Sequence, residues 1–153
     1  MPEPILTTAR TARHQLPFLF SGQSQKEAFV NEALARLDAL VQPVVLGEAA
    51  APPLAPANGD SYLVGASASG DWAGREGAIA TWADPIWLFA TPFDGARAYD
   101  AASGSIAVFS EAEGWRRAIA PDAPTGGATQ DMEARAAITA IVAGLHTLGI
   151  FSA

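Results

Sequence analysis

Cysteine is missing from all 153 residues. Its absence removes disulfides, thiol nucleophiles and cysteine metal sites. Histidine occurs only as His14 and His146, in unlike contexts, and no His-x-x-His or His-Glu-x-x-His spacing exists. No metal site is therefore legible, and no cofactor is implied. Lysine occurs once, as Lys26, and the excess of Asp and Glu leaves a net charge of −7. That balance opposes nucleic-acid binding, which needs clustered cations. No apolar run is long enough to span a membrane, and Met1 to Gln15 has no apolar signal core. The expectation is a protein made and assembled in the cytoplasm, with no membrane partner. A Gly-x-Ser-x-Gly elbow and a phosphate-binding glycine loop are both lacking; Gly65 to Gly70 reads as a turn. Asp71, Asp84, Asp94 and Asp100 each flank a glycine, proline or aromatic residue, where aspartate favours turns for hydrogen-bonding reasons. The chain is expected not to be an enzyme.

What is present is apolar but small. Half the residues are hydrophobic, many of them alanine, so the chain folds but buries little area per residue. Four parts follow one another. Residues 1–15 have no periodicity and read as an extended N-terminal arm, locally basic through Arg10 and Arg13 and suited to an acidic neighbouring surface. Residues 16–120 hold a helix and a β region. Residues 121–128 are a Pro/Gly linker, and 129–153 form a C-terminal helix.

The stretch from Leu16 to Gln42 is the most informative. An apolar strap and the Gly22 break lead into an amphipathic helix over about Gln25 to Leu40. Ser24 with Glu27 three residues on has capping-box spacing. Phe29, Val30, Ala33, Leu34, Leu37, Leu40 and Val41 recur at threes and fours, and Pro43 stops the run. On this pattern Phe29, Leu34 and Leu37 face the core, while Glu32 and Arg36 point outward.

The polar residues here carry a resemblance. Gly22-Gln23-Ser24-Gln25-Lys26-Glu27, Asn31-Glu32-Ala33-Leu34 and Leu37-Asp38-Ala39-Leu40-Val41 resemble an uncharacterised domain family. It recurs in the spike and tail-fibre proteins of alphaproteobacterial prophages and gene transfer agents. Ala51-Pro52-Pro53, Pro56 to Gly65, Gly70 to Gly74, Glu76 to Ala80, Trp87, Pro92 and Gly95 continue it, so that it spans roughly Leu16 to Trp115. Ser24 stands where alanine is usual, and Val30 where a histidine often precedes the Asn-Glu pair. The chain is most similar to a head spike base protein of gene transfer agents. The resemblance implies a structural virion role: copies of itself, capsid or other virion proteins and a spike or fibre protein as partners, with release from the cell by lysis. It makes Gln23, Gln25 and Asn31 candidate assembly residues beside Arg10 and Arg13.

From Asp60 to Ile119, short apolar runs alternate with Gly, Asp, Ser and Pro clusters, as strands and turns do. Val44-Val45-Leu46 adds one short strand. A weak repeat relates Gly77-Ala78-Ile79-Ala80-Thr81-Trp82 to Gly104-Ser105-Ile106-Ala107-Val108-Phe109, each followed by a second tryptophan, Trp87 or Trp115. Ser61 to Val64 with Trp72 has the same outline. Three hairpins are predicted, with Ile79 and Thr81 on one face and Ala78, Ala80 and Trp82 on the other. The fold class is therefore α+β: a small antiparallel β-sheet or open barrel of hairpins, covered by the first helix. The second helix, about Gln130 to Leu148, is capped by Thr129 or Asp131 and ended by Gly149. Ala134, Ile138, Ile141, Leu145 and Leu148 make a short heptad stripe on it, and the last four are candidate assembly residues. The alternative to an adaptor is a carbohydrate-binding module touching host surface polysaccharide directly, with Trp72 and Trp87, both next to turns, as the candidate stacking residues.

Overall fold

The computed structural model describes residues 9–19, 22 and 26–152. The proposed Ser24 cap, and with it Gln23 and Gln25, lies outside them. The elements are α1 (Lys26–Leu40), β1 (Val44–Val45), β2 (Glu48–Ala49), β3 (Ser61–Val64), a 3-10 turn (Gly70–Trp72), β4 (Ile79–Ala83), β5 (Ile86–Ala90), β6 (Arg97–Asp100), β7 (Ser105–Ser110), β8 (Gly114–Arg117) and α2 (Met132–Thr147). The class is α+β, with two four-stranded sheets of order β2-β3-β4-β5 and β1-β6-β7-β8. The expected single antiparallel sheet or open barrel is corrected: the sheets are two, they are mixed, and they do not close.

The two sheets share one plan. Each is a three-stranded antiparallel meander with a short parallel strand added at its first edge. Both parallel strands come from the single segment 44–49. Val44 pairs with Tyr99 in one sheet, and Glu48 pairs with Leu63 in the other. Between them Gly47 takes φ +141° and passes so close to Ala102 that a Cβ would lie 3.3 Å from the Ala102 Cβ. Glycine is the residue that tolerates this turn. The weak repeat thus corresponds to a duplicated sheet, with Trp82 opposite Trp87 in one copy and Phe109 opposite Trp115 in the other.

Two of the three predicted hairpins form, β4–β5 and β7–β8. The first block does not. Tyr62 and Leu63 of β3 pair with Ala80 and Ile79 of β4, while Trp72 rides on the 3-10 turn and folds back over the outer face of that sheet. The intervening loop is long enough to make this cover, which a tight hairpin could not.

Strand alternation sets two cores. Val45, Leu63, Ile79, Ala98 and Ala107 are buried between the sheets, with Ala90 and Trp115 beside them. Val64, Trp72, Ala78 and Ala80 form a second cluster on the far face of the β2–β5 sheet, with Tyr62, Trp87 and Phe89 around them. The predicted split of Ile79 from Ala78 and Ala80 holds. Polar ties lock the sheets together. Trp115 Nε1 donates to Gly77 O at 2.8 Å. Arg117 meets the buried Asp100 carboxylate at 2.5 Å, and its other guanidinium nitrogen lies 3.7 Å from Glu48 of the opposite sheet.

α1 lies against this body on a different face from the one predicted for Phe29 and Leu37. Asp38 is only 4% exposed and Ala39 6%, whereas Phe29 is 80% and Leu37 54% exposed. Leu34 is half-buried. Arg36 is exposed as predicted and pairs with Glu32 at 2.8 Å, and it also donates to Phe89 O on the edge strand β5. Leu63→Ala, inside the inter-sheet core, should cost about 2–5 kcal/mol. Leu37→Ala, on the outward face of α1, should stay within about 0.5 kcal/mol. Chemical denaturation of the two variants checks this placement; equal losses would refute it.

Candidate functional site

The residues around α1 explain this placement. Residues 9–19 form a strap doubled back on itself, with Arg10 bridging to Pro17 and Thr11 N–H donating to Leu16 O at 2.9 Å. A strap of this kind exposes backbone N–H groups that need acceptors when buried. Asp38 supplies them. Its Oδ1 accepts the Thr11 hydroxyl at 2.7 Å and the His14 N–H at 2.6 Å, and its Oδ2 accepts the Arg13 N–H at 2.8 Å. The His14 ring Nδ1 lies 3.1 Å from the same Oδ1. Burial by itself raises the pKa of Asp38; the hydrogen bonds from Thr11, Arg13 and His14 outweigh it, and the carboxyl titrates below its ordinary value.

Thr11, Asp38 and His14 are residue types found in nucleophilic triads, but the geometry is that of a clasp. In a triad the base stands between nucleophile and acid. Here the hydroxyl and the imidazole both converge on one carboxylate oxygen, so the imidazole does not take the threonine proton.

Arg13 completes the clasp. Its guanidinium donates to Asp38 O at 3.0 Å, Ala39 O at 3.2 Å and Gln42 O at 2.8 Å. These are carbonyls at the α1 C-terminus, where a cation is favourable. At the other end, Asn31 clamps Leu19 in both directions, its Oδ1 accepting Leu19 N–H at 2.8 Å and its Nδ2 donating to Leu19 O at 2.9 Å. Arg10 turns inward on the strap itself, donating to Gln15 O at 3.1 Å.

Three of the candidate assembly residues make contacts within the subunit. Arg13 and Asn31 hold the subunit together, and Arg10 serves its own turn. The described part of the arm is held against α1 through Asp38. Aspartate and asparagine at helix positions gave no periodic signal of burial; the hint was the local cluster Thr11, Arg13, His14, which carries many donors and no carboxylate. Below the strap lies a cavity of about 210 Å³ lined by Ala12, Phe18, Ala35, Asn58, Trp82 and Asp84 among others. Gly59, at φ +93°, forms part of its wall, and a Cβ there would come 2.5 Å from the Ala12 Cβ.

The aromatic candidates separate. Trp72 is fully buried, which corrects its placement as a stacking surface. Its Nε1 has no hydrogen-bond partner among the described residues, and its ring stands edge-on to Trp87 at 5.0 Å and 85°. Trp87 is half-buried, and Tyr62 at 6.4 Å and Trp82 at 5.0 Å also contact it. Such pairs add about 0.5–1.5 kcal/mol each beyond area burial. Burial, and then the Asp60 carboxylate, push the Tyr62 phenol above its ordinary pKa.

α2 forms a separate feature. Asp131 caps it by accepting Ala134 N–H at 2.9 Å, and Gly149 follows it at φ +68°. Arg135 binds the linker through Pro124 O at 2.5 Å and Gly126 O at 2.6 Å. The helix is rooted at its C-terminal end, where Ile106 N–H donates to Gly149 O and Phe151 bridges to Ala118. The tail Ile150-Phe151 is thereby docked. No α2 residue is buried; Ile138, Ile141 and Leu148 are exposed and Leu145 is half-buried. Among the described residues no group of three His, Asp or Glu is placed to hold a metal, and no helix is long and apolar enough to cross a membrane.

Residues 30–116 match the family described as "Protein of unknown function (DUF2793)", and the chain belongs to that family. The match opens within α1 and closes within β8, so the strap and α2 lie outside it. No curated protein matches the chain.

Acid should open the clasp. Because the folded-state pKa of Asp38 is lowered, its contribution is fully present above the unfolded value near 3.8 and is lost as pH falls through the lower folded value. Thermal melts between about pH 6 and pH 3 should show a steeper acid loss for the wild type than for Asp38→Asn. At neutral pH the variant should be weaker by at least about 1–3 kcal/mol, since buried donors lose their acceptor. Parallel acid profiles would contradict the assignment.

Proposed function

We propose that this chain is a structural virion protein of a phage or gene transfer agent: a head spike base or fibre-associated adaptor that joins the particle to a host-contacting fibre. One observation carries the reading, the outward apolar face of α1. A helix that turns asparagine and aspartate inward and displays phenylalanine, leucine and valine is built to be covered by something else. Contiguous exposed apolar surface of this kind marks interaction sites. The resemblance of Gly22 to Val41 to spike and fibre proteins supplies the setting. The partners in this reading are other copies of the chain, capsid or other virion proteins, and the spike or fibre. The setting is the particle, assembled in the bacterial cytoplasm and released by lysis.

Direct recognition of host polysaccharide is less favoured. Trp72 has no surface to offer, and Trp87 is engaged by three other aromatic rings. The reading assigns binding and not catalysis.

Particles purified from a producing strain should contain the chain. A strain lacking it should release filled heads that miss the fibre and adsorb poorly to host cells. Restoring the chain with Phe29→Glu should not restore the fibre, although the variant protein folds. Absence of the chain from purified particles would overturn the proposal.

A further inference from the structure

The outward stripe of α1 consists of Phe29, Ala33, Leu37 and Leu40, flanked by Val30 and Val41. All six are exposed. Beyond the helix end it runs on to a cavity of about 260 Å³ between Leu40, Pro43, Pro92 and Phe93, where Phe93 is itself 75% exposed. The Glu32–Arg36 ion pair borders the stripe on one side, and Arg97 stands in the wall of that cavity.

A second unpartnered apolar face exists in the same chain. On α2 the linker residues Pro121 and Pro124 lie against Ile138 and Val142. That leaves Ala137, Ile141, Gly144 and Leu148 open, at spacings of four, three and four on one side of the helix. The two faces are complementary in size. α1 offers large side chains, while Ala137 and Gly144 leave seats between Ile141 and Leu148 into which such side chains fit. The helices have 15 and 16 residues, so both faces run for roughly 23 Å. Their charges are complementary in one direction. Lys26 begins the α1 stripe and Glu133 begins the α2 stripe, and among the described residues neither is in an ion pair. Laid parallel, the two meet at the first turn.

Among the described residues the two helices share no extensive contact within one subunit. α1 lies over the β2–β5 sheet, beside Leu88 and Phe89. α2 is rooted on the other sheet through Gly149 and Phe151. Each chain therefore carries one donor face and one acceptor face. We infer that α1 receives the α2 helix of a second copy of this chain, packed parallel, with Phe29 and Leu37 seated over Ala137 and Gly144. The contact is heterologous, joining different surfaces on the two subunits. Such contacts close into a ring or continue as a chain. The inference names the self-contact within the virion reading and rests on it. It is tested on purified protein alone, while that reading is tested on particles, so the two can fail separately.

The experiment uses Leu37→Glu, which disables the acceptor, and Ile141→Glu, which disables the donor. Both sites are exposed, and circular dichroism checks that the fold is kept; Phe29→Glu replaces Leu37→Glu if that variant unfolds. By sedimentation at about 100 µM protein, the wild type should be larger than one subunit and each variant a monomer. Mixing the two variants should restore one intact contact and yield a one-to-one complex that grows no further. In a second series, Lys26→Glu and Glu133→Lys should each weaken assembly at low salt, and the two together should restore it. A monomeric wild type would overturn the inference. So would an assembled Leu37→Glu beside a monomeric Ile141→Glu, which would mean that α2 pairs with itself. The reverse pattern would mean that α1 does, and would overturn it equally.

Discussion

The Asp38 carboxylate organises one whole side of the subunit. It accepts the Thr11 hydroxyl and the backbone N–H groups of Arg13 and His14, and through them it fixes a strap that has no apolar periodicity of its own. Because the strap occupies that side, α1 must turn its polar and small residues inward: Asn31, Ala35, Asp38, Ala39. A helix has only one circumference, so the large apolar residues are left outside. The exposed surface on which the assembly reading rests is therefore a consequence of a buried hydrogen-bonding centre. A buried carboxylate is stabilising only when its acceptor sites are satisfied, and here both oxygens are.

The β body obeys a different constraint. Each three-stranded meander has a first edge that would expose backbone groups, and the segment 44–49 closes both by pairing first with β6 and then with β3. Unpaired edges invite association with other chains. One short segment thus protects two sheets and joins them, with Gly47 at the crossing. The inter-sheet core can be thin because Ala98 and Ala107 face Val45, Leu63 and Ile79, and alanine lets strands approach closely. Directional ties compensate for the small apolar area. Trp115 reaches Gly77 across the sheets, and Arg117 joins Asp100 to Glu48.

α2 differs from both. Its cap, its stop and its linker contacts are complete, yet it buries no residue. Isolated helices of this length are marginal in water. Asp131, Arg135 and the anchoring of Gly149 and Phe151 hold the helix, and its apolar face is left free. The family match ends before it. The chain is thus a family domain followed by a rooted arm, and both display apolar surface.

Local chemistry alone determined much of this protein. Helix bounds within a residue or two, a cap at Thr129 or Asp131, the Gly149 stop, the β4–β5 and β7–β8 hairpins, the alternation at Ile79 and the α+β class all follow from rules acting over a few neighbouring residues. The repeat relating Gly77–Trp82 to Gly104–Phe109 was legible too, although what it meant was two sheets and not one. Tertiary structure decided whatever depended on partners distant in the chain. The stripe on α1 stated that the helix is amphipathic; it could not state which side the body would take, since that hung on the strap's need for acceptors 24 to 27 residues away at Asp38. Trp72 looked exposed because it sits by a turn, and is buried because the turn folds over a sheet. Periodicity records that a face is apolar, and only the packed chain decides whether the cover for that face comes from within the subunit or from outside it.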